Sequence, residues 1–137
     1  MKSINCILLV DDDESDNFFH TLTIKEAEFC NQIKVVTDGR YALDYILNAL
    51  KNDQPNEFPK PDIIFLDINM PRMSGFDFLD EYIQLDERFT LDILIIMLTT
   101  SLSPYDMEKA MKYKVVKDYR NKPLTTEMLQ EITEKYL

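Results

Sequence analysis

Ile63-Ile64-Phe65-Leu66-Asp67-Ile68-Asn69-Met70-Pro71 is the stretch on which the fold turns. Four apolar residues in a row, with no polar alternation, predict a strand covered on both faces, as in a parallel sheet. The run halts at a carboxylate. Two others do the same: Ile7-Leu8-Leu9-Val10 runs into Asp11-Asp12-Asp13, and Leu94-Ile95-Ile96-Met97-Leu98 into Thr99-Thr100-Ser101. A fourth segment ends in Lys122-Pro123. Open parallel sheets bind ligands outside the carboxyl ends of their strands, near the point where strand order reverses. Neighbouring strands of this kind gather carboxylates, a hydroxyl and an ammonium at one edge, the set that a phosphoryl-accepting site needs.

Between these runs the period changes to that of helices. Phe18, Leu22 and Phe29 follow the first strand at roughly helical spacing, with Ser15 placed to cap. Ile33, Val35 and Val36 predict a short strand, and Asp38-Gly39 a turn. Ala42, Tyr45, Ile46, Ala49 and Leu50 then predict a core-facing helix ending near Lys51. Residues 51–61 carry Pro55, Pro59 and Pro61 and predict a long loop. Past Asp67, Pro71 and Gly75 mark a loop, followed by a helix with Phe78, Leu79, Tyr82 and Ile83 inward. A strand is expected over 91–98. Pro104 opens a helix through Met107, Ala110 and Met111. A last strand is expected over 115–121, and an amphipathic helix over 125–136 through Met128, Leu129, Ile132 and Tyr136.

Alternating strands and helices with continuous apolar strands predict an α/β domain: a five-stranded parallel sheet with helices on both faces. The second and last strands are the most polar, which suits the edges and selects the order 2-1-3-4-5.

Composition narrows the class. The chain has 137 residues, 45% hydrophobic and 29% charged, enough for one domain with one core. No stretch approaches the ~18 apolar residues of a membrane span, and no basic-then-apolar leader opens the chain, so a cytoplasmic protein is expected. Cys6 and Cys30 are expected to be idle thiols, not a disulfide framework. A formal net charge of -10 argues against a nucleic-acid surface, which clustered Lys and Arg would build.

The acidic pair Asp11-Asp12, Asp67 with Ile68-Asn69-Met70-Pro71 and Gly75, Thr99, Tyr119 and Lys122-Pro123 occur in the order and at the strand ends of a known family. Over essentially its whole length the chain resembles the receiver domain of two-component response regulators. The resemblance implies a single receiver over 1–137 with no output domain. It implies that Asp67 takes a phosphoryl group from the phosphohistidine of a histidine kinase or histidine phosphotransfer protein, with Mg2+ beside it. Asp12, Asp67 and the backbone carbonyl of Asn69 would ligate the metal, with Asp11 acting indirectly. Lys122 and Thr99 would bond the transferred oxygens. Thr99 moving inward would leave space for Tyr119 to rotate, switching a protein-interaction surface. The downstream partner is unspecified, and homodimerisation through the last two helices is a family analogy. The long Pro-bearing loop resembles a subgroup of receivers, some paired with phytochrome-like kinases.

The residue types suit that chemistry independently. Carboxylates ionise well below neutral pH, and two unit charges ~4 Å apart repel by about 4 kcal/mol at a surface-like dielectric, so a cation must offset them. Magnesium takes oxygen ligands and one or two carboxylates alongside phosphate.

Plainer roles compete at several positions. Asp11 to Asp13 alone is a common helix-start pattern. Ser101 is expected to be a turn hydroxyl, His20 an exposed helical residue, the methionines core filler, and Glu87, Arg88 and Asp92 solvated charges. Two departures from the family stand out: Thr100 where alanine is common, and the polar run through Lys114, Lys117, Arg120 and Asn121. As alternatives, a haloacid-dehalogenase-like phosphatase would use Asp11 as nucleophile, but there is no room for a cap domain. A flavodoxin-like cofactor binder would need a phosphate loop that the acidic run replaces.

Overall fold

A computed structural model describes residues 3–137. Five strands, β1 (Ile4–Val10), β2 (Cys30–Val36), β3 (Ile63–Leu66), β4 (Leu94–Thr99) and β5 (Val116–Asn121), alternate with helices α1 (Glu14–Ala27), α2 (Gly39–Lys51), α3 (Gly75–Tyr82), α4 (Glu87–Thr90), α5 (Pro104–Met111) and α6 (Thr126–Tyr136). The sheet is parallel throughout, in the order β2-β1-β3-β4-β5. Both the predicted class and the strand order hold.

Strand side chains alternate between faces and so build two cores. On one face Leu8, Val10, Ile64, Leu66, Ile95 and Met97 pack with Ile46 of α2, Phe78 of α3 and Ala110 of α5. On the other, Ile7, Leu9, Ile63, Phe65, Ile96 and Leu98 meet Ile24 of α1 and Leu129 and Ile132 of α6. The three central strands are covered twice, which is why they read as unbroken apolar runs.

The polar edge strand β5 is satisfied by ion pairs. Arg120 bonds Asp118 at 3.0 Å and Glu131 of α6 at 2.8 Å. A register shift lies opposite Ile95/Ile96, so that Val116 and then Asp118 oppose consecutive residues of β4. Such a bulge belongs at a sheet edge.

Several local expectations are corrected. Asp13, not Ser15, caps α1, its carboxylate accepting from the Asp16 amide at 3.0 Å. The inward residues of α1 are Asn17, His20 and Ile24, while Phe18, Phe19 and Leu22 face out. His20 is therefore buried, at 3% exposure, and not a surface residue. β2 begins at Cys30, ahead of the expected Ile33. A one-turn helix, α4, capped by Asp86, precedes β4, and Leu91 is 86% exposed, so the strand starts at Leu94. Ile83, Met107 and Met111 are exposed, leaving Met97 as a buried methionine among partly buried or exposed ones. Cys6 and Cys30 are both free. Among the described residues no helix is long and apolar enough to cross a membrane.

Candidate functional site

The carboxyl ends of β1, β3 and β4 lie side by side, and the residues that follow them converge. Asp11 continues β1 by donating its amide to the Val36 carbonyl at 3.1 Å, and Asp67 continues β3 by donating to the Val10 carbonyl at 3.0 Å. The Lys122 amide donates to the Thr99 carbonyl at 3.0 Å, drawing the end of β5 against the end of β4. The Lys122-Pro123 peptide is cis.

Carboxylate oxygens of Asp11, Asp12 and Asp67 all lie within 4.8 Å of one another. Asp11 is 4% and Asp67 8% exposed while Asp12 is exposed, so the trio opens to solvent through Asp12. Hard oxygen donors at this spacing fit a divalent cation of the magnesium class, which tolerates bound water beside a few carboxylates.

Beside the trio stands one cation. The Lys122 side chain, 7% exposed, places Nζ 2.5 Å from Asp11, 2.7 Å from Asp16 and 3.0 Å from Asp67. Burial would favour the neutral amine, but the bonds to Asp11, Asp16 and Asp67 outweigh it and hold the pKa above the ordinary lysine value. Burial raises the Asp11 pKa, against the lowering effect of Lys122 and of the Asp13 amide.

Both Asp67 oxygens are engaged: one accepts from the Ile68 amide at 2.8 Å, the other from Lys122. The following loop is pinned close behind, since the Gly75 amide donates to the Ile68 carbonyl at 2.8 Å. A Cβ at position 75 would collide with the Asp67 carbonyl, so only glycine fits there. On β4, Thr99 is 1% exposed and its hydroxyl accepts from the Ser101 amide at 3.2 Å. Tyr119 on β5 donates its hydroxyl to the Ser101 carbonyl at 3.3 Å, and burial raises its pKa. Asn69 and Thr100 are exposed.

The site thus brings together Asp11, Asp12, Asp67 and Lys122, with Thr99 at the adjoining strand end and Tyr119 linked to it through Ser101. Two contributors escaped the sequence reading. Asp16 is the first; its place one helical turn past the acidic run was the available signal. The second is a clamp: Asp38 caps α2 through the Tyr41 amide at 2.8 Å and accepts from Arg72 Nε at 2.7 Å. Arg72 takes left-handed backbone, φ 63°, to reach it, and its guanidinium lies 4.4 Å from the Tyr41 ring centre. No sequence signal announces that contact. Ser101 does serve a turn, its hydroxyl donating to Asp106 at 2.6 Å.

A model of the response regulator receiver domain matches residues 7–134. The chain belongs to the response regulator receiver family. Receivers of this family are signalling modules and not catalysts in their own right, which displaces the phosphatase alternative, and they are phosphorylated by histidine kinases. The acidic pocket formed by Asp11, Asp12 and Asp67 is consistent with a phosphorylation site, and an acidic triad of this kind is typical of receiver metal sites. The chain is 30% identical over 129 residues, 94% of its own length and 79% of the relative's, to a probable methanogenesis regulatory protein, FilR2, of Methanothrix harundinacea. A two-component response regulator from Cytophaga hutchinsonii superposes with a TM-score of 0.86 at 32% identity, covering 98% of each chain. The Mn2+-bound form of the response regulator Rcp1 superposes at 0.76 with 25% identity, covering 97% of this receiver and 94% of that chain.

Proposed function

We propose that Asp67 is the phosphoryl acceptor of this receiver, charged from the phosphohistidine of a histidine kinase or histidine phosphotransfer protein. The observation that carries the reading is the Lys122 ammonium 3.0 Å from a buried Asp67 carboxylate that shares its pocket with Asp11 and Asp12. In the transfer, an Asp67 oxygen bonds to phosphorus as the bond from phosphorus to the imidazole nitrogen breaks. The electron pair stays on that nitrogen, and the phosphoryl group becomes an acyl phosphate. Lys122 and the Thr99 hydroxyl bond the transferred oxygens and so stabilise charge spread over them.

Asp12, Asp67 and the Asn69 carbonyl are the proposed ligands of Mg2+, with Asp11 acting indirectly. The metal would supply charge neutralisation for the transferring group. That the similar response regulator Rcp1 has a Mn2+-bound form supports a divalent ion in this receiver. A cytoplasmic location accompanies the reading, because kinase phosphohistidines are made there at the expense of ATP.

Acylation adds about -1.5 to -2 units of charge and three acceptor oxygens. Thr99 turns toward them, Tyr119 follows, and the surface of α5, β5 and α6 repacks for a protein partner. A switch of this kind needs contacts that differ between the two states, which the new oxygens provide.

Incubation with acetyl phosphate and Mg2+ tests the acceptor. Intact-mass analysis should record one added phosphoryl group in the wild type, absent when the metal is chelated before acetyl phosphate is added and missing in Asp67→Asn. An equal gain in that variant rejects Asp67.

A further inference from the structure

An ammonium has three protons to donate, and Lys122 spends them on three carboxylates: Asp11 at 2.5 Å, Asp16 at 2.7 Å and Asp67 at 3.0 Å. Two of those acceptors, Asp11 and Asp67, belong to the trio whose oxygens cluster for a cation. Asp16 stands outside it. Its side chain is 34% exposed, on the first turn of α1, and the Asp13 cap fixes that turn by accepting from the Asp16 amide at 3.0 Å.

We propose that Asp16 is a positioning residue: it keeps the Lys122 ammonium beside Asp67 when Asp67 turns an oxygen directly to a divalent cation and Asp11 turns one to that cation's water shell. The inference rests on Asp67 being the acceptor. An ammonium and a dication that draw on the same carboxylates repel each other and compete for the same oxygens. If Asp11 and Asp67 were the only partners, the lysine would either hinder the cation or be displaced by it. A carboxylate outside the trio gives the ammonium a partner for which the cation does not compete. Asp16 need not let go on acylation either, since a phosphoryl oxygen replaces the Asp67 oxygen as the third acceptor. The side chain thereby settles two opposing demands on Lys122, staying in place and leaving room.

The test uses the full chain in two measurements: Mg2+ binding by calorimetry, and phosphoryl uptake from acetyl phosphate by intact mass. The variants are Asp16→Asn, the conservative Asp16→Glu, and Glu14→Gln, which removes the same unit charge from the same helical turn at an exposed residue. Thermal midpoints confirm that each variant folds. Asp16→Asn should weaken Mg2+ binding roughly fivefold to tenfold and slow uptake by a similar factor, as expected for one charge-assisted bond at a partly exposed group. Asp16→Glu should recover most of both, and Glu14→Gln should stay within about twofold. In a Lys122→Ala background, Asp16→Asn should do no more than Glu14→Gln, because the effect passes through the lysine.

Equal behaviour of Asp16→Asn and Glu14→Gln would overturn the proposal. So would the full Asp16→Asn effect persisting without Lys122. Wild-type protein that binds Mg2+ yet gains no phosphoryl mass would instead reject the acceptor reading, and the calorimetric comparison would still report on Asp16.

Discussion

Thr99 and Tyr119 are joined through the backbone of a single residue: Ser101 donates its amide to the Thr99 hydroxyl at 3.2 Å and accepts the Tyr119 hydroxyl on its carbonyl at 3.3 Å. In the proposed switch, movement of the Thr99 hydroxyl toward new phosphoryl oxygens would break the first bond and loosen the residue whose carbonyl holds the second. Tyr119→Phe should therefore leave phosphoryl uptake within about twofold of wild type, since the 3.3 Å bond is a weak one remote from the acceptor. Adding beryllofluoride and Mg2+ should still shift the Ser101 amide resonance in Tyr119→Phe, but not in Thr99→Val. A shift of wild-type size in Thr99→Val would sever the proposed coupling.

His20 offers a pH test of the inverted α1. Burial lowers its pKa more than the Asp16 charge raises it, so the folded protein holds a neutral imidazole. The unfolded chain, with an ordinary value near 6.5, protonates first as pH falls. Stability is thus complete above about pH 6.5 and declines as pH drops through that value toward the lower folded one. Urea unfolding across this range should show the decline in wild type and a shallower one in His20→Gln.

The outward phenylalanines of α1 make a complementary prediction. Phe18 is 64% and Phe19 60% exposed, so replacing either by serine should change stability by no more than about 0.5 kcal/mol. Ile24→Ala, on the buried face, should cost about 2 to 5 kcal/mol. Chemical denaturation decides between this orientation and one in which the phenylalanines face the core.

Thiol chemistry separates the two cysteines. Cys6 is fully buried and its pKa is pushed up to about 11, chiefly by burial, so its thiolate is scarce and shielded. Cys30 is half-buried, also raised in pKa, and donates its thiol to the Gln32 carbonyl at 3.1 Å. Iodoacetamide should modify Cys30 slowly in the native protein and Cys6 only on unfolding, as counted by intact mass. Rapid native labelling of Cys6 would contradict its place inside β1.

The central sheet was legible because β1, β3 and β4 are covered on both faces, leaving apolar runs that end abruptly at Asp11, Asp67 and Thr99. Strand ends and site residues were therefore read together. The orientation of α1 was not legible. Its apolar residues Phe18, Phe19 and Leu22 point outward, while Asn17 spends its side-chain amide on the Asp11 carbonyl at 2.8 Å, so periodicity pointed to the wrong face. Long-range pairs hide for a different reason. Lys122 lies 106 residues from Asp16 and Arg72 lies 34 from Asp38, and local spacing carries no trace of either. One-turn α4 is too short to establish a period.

The groups gathered at the pocket come from separate parts of the chain: Asp11 from the end of β1, Asp16 from the first turn of α1, Thr99 from β4 and Lys122 from beyond the edge strand β5. Lys122 reaches the pocket only when β4 has joined β3 and β5 has joined β4. Half-made, cleaved or heat-loosened molecules would therefore have no working receptacle and stay silent in the circuit, so proofreading for intact copies comes with the architecture itself.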